Sequence, residues 1–307
     1  MRVALTGSTG LIGGGVLQLL RSNHEIVRIG RRQECDMHVD LADIRTIATL
    51  DLAGCDALIH CAGVVDEDFV TSPQRTWGQA IAGAEELAKR ALIGGVERII
   101  YLSTTHVYGA FQGIISEDRI PDPSTHYAIA HYATEQILKS YARKGLKVFI
   151  VRPNAVYGIP VDWDGFDRWA LVPFNLPLQA AYKGTIVLKT SGEQTRNFIA
   201  LEDVAQYVEQ LLTASVKDEV IILNAVGSDT LRIVDLAQMC ADIYYDLTGR
   251  ICLIEKPVAS AGHLNDYQFV TRHTVFSPSR HIGDFLTAFL VQVMEKAKKG
   301  VVYGQYV

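Results

Sequence analysis

An α/β fold with a parallel sheet covered on both faces is predicted by the rhythm of the first half of the chain. Short apolar runs rich in β-branched residues alternate there with segments whose apolar residues recur at helical spacing. Each run is apolar throughout, as in strands that are buried on both faces. A glycine-rich turn follows the first run and opens the first helix. These features predict a doubly wound Rossmann-type fold, whose ligands bind at the carboxyl ends of the strands.

The predicted elements follow one another along the first 158 residues. Strands are predicted at RVAL, EIVRIG, DMHVDL, ALIHCAG, RIIYLSTT and KVFIVRP. Helices are predicted at Leu11 to Arg21, at Asp43 to Leu50, from about Gln74 to Leu92, and from about Tyr127 onwards. We therefore expect a dinucleotide-binding Rossmann domain over residues 1–158.

The rhythm changes after residue 158, where prolines and tryptophans mark loops and short helices. Two strand-like runs, IVLKTSG and VIILNAV, follow, with two helical patterns at about 202–213 and 232–245. We interpret residues 159–307 mainly as a smaller C-terminal α/β domain that binds substrate. Its later segments, about 185–226, are expected to return partly to the first domain.

Composition and charge argue against several classes of protein. The 307-residue chain is 49% apolar, and its net charge of −5 includes no basic block, so no nucleic-acid partner is expected. No apolar run approaches the roughly 20 residues of a membrane span, and the N-terminus runs straight into a strand, without room for a signal peptide. The five cysteines include no CxxC pair. We expect a cytoplasmic protein with scattered, reduced thiols and no membrane partner.

The stretch GSTGLIG, directly after the first strand, is a candidate phosphate-binding loop. Its glycines, Gly7, Gly10 and Gly13, allow a tight turn and the close approach of a diphosphate to the backbone. The helix that begins near Leu11 then offers unpaired N–H groups and the positive end of its dipole to the phosphates. The predicted cofactor-binding residues of this loop are Gly7, Thr9, Gly10, Leu11, Ile12 and Gly13.

The end of the second strand favours NADP(H) over NAD(H) as cofactor. An acidic residue usually stands there and binds the adenosine ribose of NAD. Here Gly30 is followed by Arg31, whose guanidinium is suited to a 2′-phosphate. The alternatives are a solvated basic turn, or Glu34 serving as the acid. Asp40 and Leu41, at the end of the third strand run, are expected to reach the adenine.

Hydroxyl groups and a tyrosine suggest proton transfer beside the cofactor. Thr104 and Thr105 follow the fifth strand, where they either cap the next loop or orient a sugar oxygen. Tyr127 and His131 are four residues apart on one helix, so both are able to face the same ligand. The histidines at 106, 126 and 131 fit no established metal-ligand spacing and lack a carboxylate pair, so no metal site is expected.

Together these stretches resemble the extended short-chain dehydrogenase/reductases, the sugar-nucleotide epimerase and dehydratase family, along nearly the whole chain. GSTGLIG resembles the family's cofactor loop, and ALIHCAG resembles its fourth strand, which implies cofactor contacts at Ala62 and Gly63. The resemblance implies a nucleotide-activated sugar as substrate, a nicotinamide cofactor, and a homodimer formed through a helical bundle.

The resemblance also implies roles for individual residues. Thr104 matches the catalytic Ser or Thr, and the stretch ending in Tyr127 and His131 is similar to the family's YxxxK. RPNAVYG resembles the strand that ends beside the nicotinamide, which implies cofactor contact at Pro153 and substrate contact at Asn154. Within TRNFIALEDVA, Arg196 matches the arginine that binds the substrate diphosphate.

The chain departs from the family pattern at functional positions. His131 replaces the lysine of YxxxK, Gly30 replaces the acid of the second strand, and Ala80 and Ala155 stand where asparagines are frequent. In the family, the lysine holds the nicotinamide ribose and lowers the pKa of the tyrosine, so that phenolate is accessible near neutral pH. Histidine has an ordinary pKa near ~6.5 and is mostly neutral at pH 7.

Two classes of function follow from this replacement. The first is an active NAD(P)-dependent enzyme on a nucleotide sugar, which is an epimerase, a dehydratase or a reductase. Within this class NADPH-dependent keto-sugar reduction, with Tyr127 as the acid, is favoured over epimerisation or dehydration, which begin by oxidation. In this class His131 is either a neutral neighbour or shares one proton with Tyr127 as a coupled pair. The second class is a family member that binds cofactor, has lost most turnover, and acts as a binding or regulatory protein.

Overall fold

A seven-stranded parallel sheet forms the centre of the protein, whose computed structural model describes residues 1–257, 267–273 and 276–303. The strands lie in the order β11-β7-β5-β4-β1-β2-β3, and every neighbouring pair is parallel. Their bounds are β1 (Arg2–Thr6), β2 (Glu25–Gly30), β3 (Met37–His38), β4 (Ala57–His60), β5 (Arg98–Leu102), β7 (Lys147–Pro153) and β11 (Val220–Ala225).

Helices cover both faces of this sheet, because successive side chains of each apolar strand point to opposite sides. On one face the strands pack against α2 (Ile44–Ala48), α5 (Ala84–Ile93) and α6 (His126–Ala142). On the other face they pack against α1 (Leu11–Leu20) and α8 (Leu201–Thr213). This arrangement confirms the predicted doubly wound fold.

Two predicted elements in this half differ from the structure. The DMHVDL run was expected to be a strand throughout, but β3 contains two residues, and Asp40 lies beyond it in a turn closed by Thr46. The predicted helix from Gln74 to Leu92 is three pieces: α4 (Pro73–Gly78), a π-helical turn (Gln79–Gly83) and α5. A Cβ on Gly83 would lie 2.1 Å from the Leu41 carbonyl oxygen, so the π-turn brings helix backbone against the end of the third strand run.

The second half contains a separate apolar core, built on three helices. These are α7 (Val172–Lys183), α9 (Ile233–Thr248) and α10 (Ile282–Lys298), packed around aromatic residues such as Phe174 and Phe289. α7 replaces the loops and short helices expected there, and α10 was not predicted. Short strands complete this half: β8 (Ala155–Tyr157), β9 (Thr185–Val187), β10 (Thr195–Ala200), β12 (Asp229–Arg232), β13 (Leu253–Glu255) and β14 (Tyr267–Phe269).

The remaining described elements are α3 (Asp66–Thr71), a 3₁₀ turn (Thr105–Tyr108) and β6 (Gly113–Ile115). The five cysteines are free thiols, all buried except the half-buried Cys61. Within the described ranges, no helix has both the length and the apolar character needed to cross a membrane. The division into domains at residue 158 stays a prediction.

Candidate active site

The glycine loop forms a backbone cradle at the N-terminus of α1. Gly7 has a positive φ of 73°, and a Cβ there would lie 2.7 Å from the Ala62 backbone nitrogen. A Cβ on Gly13 would lie 2.1 Å from the Gly7 carbonyl oxygen. The N-cap residue, Gly10, places no side chain over the first turn of the helix. The unpaired N–H groups of that turn fit the diphosphate of a dinucleotide.

Charged residues follow the end of the second strand, β2, at one end of the cleft formed at the carboxyl ends of the strands. Arg31 is exposed and, over the residues described, forms no ion pair, whereas Arg32 contacts Asp162 at 3.1 Å and Glu34 at 3.9 Å. Asp40 is bound by Arg75 and accepts a hydrogen bond from the Ala42 amide, and it lies near Arg31. Arg31 is thus the guanidinium available to an approaching phosphate, while Asp40 and the buried Leu41 lie beside it.

Thr104 lies just after the end of β5, and Tyr127 lies near it at the start of α6. Thr104 is buried at the N-cap of the 3₁₀ turn, where its hydroxyl accepts from the His106 amide. Tyr127 stands in the first turn of α6, which is capped by the Thr125 hydroxyl. Burial raises the pKa of the Tyr127 phenol, although the neighbouring Thr104 hydroxyl and the Arg168 charge oppose this rise. Tyr127 therefore keeps its proton at neutral pH.

His131 packs against Tyr127, but it directs its hydrogen bonds elsewhere. The two rings meet edge to face with centroids 4.6 Å apart. The Nδ1 atom of His131 lies 2.7 Å from the Tyr101 hydroxyl, and its Nε2 atom lies 3.3 Å from the Val64 carbonyl oxygen. A carbonyl oxygen accepts only, so Nε2 carries the proton and Nδ1 accepts from Tyr101.

Burial, rather than the hydrogen bonds themselves, keeps the His131 ring neutral. Burial lowers its pKa to about 4, against an ordinary value of 6.5. Both ring nitrogens are occupied by other partners, so the shared-proton pair with Tyr127 that the sequence allowed is not formed. His131 is neither a cation nor a hydrogen-bond partner for the Tyr127 phenol.

An aromatic cluster joins Tyr127 to the predicted substrate arginine. His106 meets the Tyr127 ring at 5.8 Å and the Phe111 ring at 5.3 Å, edge to face in both cases. Arg196 lies on β10, and its guanidinium is 5.1 Å from the centre of the Phe111 ring. Desolvation lowers the pKa of His106, and the Arg196 charge lowers it further. A positive group is therefore connected to Tyr127 through the His106 and Phe111 rings.

Other predicted site residues lie at the strand ends around this point. Ala62 and Gly63 follow β4, and a Cβ on Gly63 would lie 2.8 Å from the His131 ring. Pro153 ends β7, and Asn154 donates from Nδ2 to the Tyr267 hydroxyl at 2.8 Å. Thr105 is fully buried. The roles predicted for these residues stay predictions.

Sequence reasoning missed a loop that crosses the cleft. Residues 159–171 carry Asp162, which contacts Arg32, and Arg168, which forms an ion pair with Glu67 of α3. Arg168 brings the positive charge that opposes the rise in the Tyr127 pKa. The loop has no motif that announces these contacts, because its charged residues find partners about 100 or more positions away.

Two of the curated relatives of this chain are named for reactions on nucleotide sugars. The chain is 26% identical to the GDP-6-deoxy-D-talose 4-dehydrogenase of Aggregatibacter actinomycetemcomitans, over 77% of this chain and 79% of that one. It is 28% identical to the mouse (Mus musculus) dTDP-D-glucose 4,6-dehydratase, over 77% and 71% of the two chains.

Solved structures share the fold at lower identity. RMD from Pseudomonas aeruginosa, solved with NADPH, superposes with a TM-score of 0.79 at 20% identity, covering 96% of this chain and 98% of that one. The dTDP-glucose 4,6-dehydratase of Streptomyces venezuelae, solved with NAD, gives 0.78 at 20% identity, covering 97% and 98%.

The sequence profile of the NAD dependent epimerase/dehydratase family matches residues 3–224. That span is more than half of the chain and contains the glycine cradle, Thr104, Tyr127 and Arg196. The chain belongs to the NAD dependent epimerase/dehydratase family.

Proposed function

From this membership, we propose that the protein reduces a keto group of a nucleotide-activated sugar with NADPH, and that Tyr127 donates the proton. The observation that carries the proposal is the hydrogen bonding of His131, which occupies the position of the family's lysine. Its Nε2–H is committed to the Val64 carbonyl and its Nδ1 to Tyr101. The site therefore has no cation at this position to help Tyr127 lose its proton.

The direction of the reaction follows from the protonation state of Tyr127. Oxidation of a sugar hydroxyl needs a base, and a phenol whose pKa is raised by burial is a poor one near neutral pH. Reduction of a keto group needs an acid, and protonated Tyr127 supplies it. Epimerisation and dehydration both begin by oxidation, so this site favours reduction over them.

The cofactor proposal rests on the glycine cradle and on Arg31. At Gly7 and Gly13 a Cβ would meet neighbouring backbone, so the loop is bare of side chains there and a diphosphate would approach the N–H groups at the start of α1. Arg31 is exposed beside it and suits the 2′-phosphate of NADP. A bound nicotinamide dinucleotide supplies the hydride. Loop residues 7–13 would hold the diphosphate, with Asp40 and Leu41 towards the adenine and Ala62, Gly63 and Pro153 towards the nicotinamide.

The substrate proposal rests on the polar groups around Tyr127. The Thr104 hydroxyl orients the keto oxygen towards the Tyr127 phenol, and Arg196 pairs with the substrate diphosphate. Arg196 is half-buried over Phe111, which holds its guanidinium in place without neutralising it. The relative named as a GDP-6-deoxy-D-talose 4-dehydrogenase supports a redox reaction at one sugar carbon.

Replacing Tyr127 tests the proposal. NADPH oxidation is followed with a panel of keto-sugar nucleotides, and Tyr127→Phe is expected to lose at least about a hundredfold in kcat, because general acid catalysis is worth that much. Tyr141→Phe makes the same change on the same helix, within the apolar core, and is the matched control. His131→Lys is expected to raise oxidation of sugar hydroxyls at neutral pH and to change reduction less.

The outcomes separate the two classes of function. Full activity in Tyr127→Phe would remove Tyr127 from the chemistry. Tight cofactor binding by the native protein with no turnover of any sugar nucleotide, in either direction, would favour a binding or regulatory role. An unchanged pH–rate profile in His131→Lys would show that position 131 does not control the proton of Tyr127.

A further inference from the structure

A buried ion pair lies directly behind the site, between α6 and β7. The Arg152 Nε atom donates to Glu135 Oε1 at 2.9 Å, and its Nη2 atom donates to Oε2 at 2.5 Å. The side chains of Arg152 and Glu135 are 1% and 0% exposed. A third group completes the arrangement, because the Ser103 hydroxyl donates to Glu135 Oε1 at 2.6 Å.

Burial of this pair is not explained by stability alone. Removing two charges from water carries a large desolvation penalty, which their attraction offsets only when the geometry is good and the remaining lone pairs are bonded. Here both conditions hold, with a bidentate contact and the added hydroxyl. Apolar residues of similar volume often do as well for stability. Such apolar residues would not provide three directed hydrogen bonds that join three segments of the chain.

Each of the three residues is tied to one part of the site. Ser103 directly precedes Thr104, the hydroxyl beside Tyr127. Glu135 lies two turns after Tyr127 on α6, one turn after His131. Arg152 precedes Pro153 at the end of β7, beside Asn154. The network therefore links the segment after β5 that carries Thr104, the helix that carries Tyr127, and the strand that ends beside the expected nicotinamide position.

The network extends to the edge of the sheet through Tyr108. The Arg152 guanidinium lies 4.7 Å from the centre of the Tyr108 ring, and the Tyr108 hydroxyl donates to Asn224 Oδ1 at 2.8 Å. Asn224 stands on β11, and its backbone N–H donates to the Glu117 carboxylate. These contacts leave the Arg152 side chain little freedom, so the atoms it holds are also fixed.

We propose that Ser103, Glu135 and Arg152 are positioning residues, which set the distance between the Thr104 and Tyr127 hydroxyls. They touch neither substrate nor cofactor and act through the elements they join. The catalytic part of this proposal rests on the proposed reduction. The geometric part does not, because the network joins the segments that carry both hydroxyls whether or not the protein turns over substrate.

The test removes one hydrogen bond and keeps both charges paired. Ser103→Ala is compared with Ser140→Ala, a hydroxyl on an exposed part of α6 that bonds the Ile137 carbonyl. For Ser103→Ala we expect kcat to fall about tenfold, with KM and NADPH affinity close to native, because small misplacement of reacting groups reduces rate more than binding. Tm should also fall, because the buried Glu135 carboxylate loses one of its hydrogen bonds. Ser140→Ala is expected to match the native protein in all four.

A second measurement does not depend on turnover. The pKa of the Tyr127 phenol is followed by NMR of tyrosine labelled with carbon-13 at the ring carbon that bears oxygen, and Tyr127→Phe assigns the signal. Displacing the Thr104 hydroxyl removes a group that opposes the rise of this pKa, so the value is expected to increase in Ser103→Ala. An unchanged phenol pKa would overturn the proposal. A fall in Tm with kcat unchanged, or a loss of cofactor affinity as large as the loss of kcat, would reduce the network to a structural role.

If the native protein reduces no keto sugar while the phenol pKa moves as expected, the proposed function fails and the positioning role stands. If reduction occurs but neither kcat nor the phenol pKa responds to Ser103→Ala, the positioning role fails and the function stands.

Discussion

At the scale of single residues, neighbours decide what His131 does. Its spacing from Tyr127 is that of the family's lysine, yet its ring is turned to Tyr101 and to the Val64 carbonyl. Tyr101 itself stacks on His60, with ring centroids 5.3 Å apart, and the His60 Nδ1 atom lies 2.7 Å from the Thr6 hydroxyl. His131 therefore belongs to a buried hydrogen-bonded group that leads away from Tyr127.

The exposed charge of Arg31 leads to a prediction about the cofactor. Arg31→Ala is expected to weaken NADPH binding at least tenfold and to leave NADH binding unchanged, because a charge-assisted hydrogen bond to phosphate contributes about 1.5–3 kcal/mol. Arg32→Ala should have a smaller effect, since Asp162 already pairs with that guanidinium. Affinities are measured by fluorescence titration. Tighter binding of NADH than NADPH by the native protein would refute the role of Arg31.

At the scale of elements, close approach between helices α1 and α8 shapes the cofactor end of the sheet. A Cβ on Gly15 would lie 2.4 Å from Leu201 Cγ, and one on Gly158 would lie 2.5 Å from Leu201 Cβ. Gly15 follows the phosphate loop and has no role in the sequence motif. Gly15 contributes through packing instead. It allows α1 to lie close to α8, in the arrangement that brings the phosphate loop against the backbone after β4.

This contact predicts how an added methyl group behaves. Gly15→Ala is expected to lower the free energy of unfolding by about 1–3 kcal/mol through overpacking. Combining it with Leu201→Ala should give less than the sum of the two single losses, since the clash is then relieved. Gly78→Ala, on α4 with open space at the Cβ position, should be neutral or stabilising. Urea unfolding gives the free energy of unfolding of these four variants and of the native protein. A double mutant whose loss equals the sum of the two single losses would contradict the proposed clash.

Helices and strands were predicted best where the apolar pattern was consistent with only one kind of secondary structure. The six strand runs of the first half reappear, and α1, α2, α6 and α8 begin within about two residues of their predicted starts. α7 was missed because Pro177 lies inside it, and proline ordinarily ends a helix. β3 stops early because the chain turns at Asp40, where a side-chain hydrogen bond from Thr46 replaces strand pairing.

At the scale of the whole molecule, neutral buried histidines link stability to acidity. Burial lowers the pKa values of both His60 and His131 to about 4. Each histidine becomes positively charged when it binds a proton, and the folded interior disfavours that charge. Neighbouring imidazoles lower these affinities for a proton further, since His131 contributes to the shift of His60 and His106 contributes to that of His131.

The expected pH dependence follows from the sign of these shifts. Between 6.5 and about 4 the unfolded chain binds more protons at these positions, so stability is complete above pH 6.5 and is lost as the pH falls towards 4. Each group accounts for about 3 kcal/mol of that loss. His131→Gln removes one titrating group and should flatten the decline by about that amount. Urea unfolding at a series of pH values tests this, and an equally steep decline in the variant would contradict it.

The parallel sheet, the glycine cradle and the identity of the groups around Tyr127 could all be predicted from the order of the residues. Local backbone requirements and apolar periodicity dictate such features, and both are written in consecutive residues. Tertiary structure decided the protonation of His131, the ion pairs that the 159–171 loop forms across the cleft, and the burial of Glu135 with Arg152. These depend on contacts between residues far apart in the chain, such as His131 with Val64, and on desolvation, which a residue experiences only once the fold surrounds it.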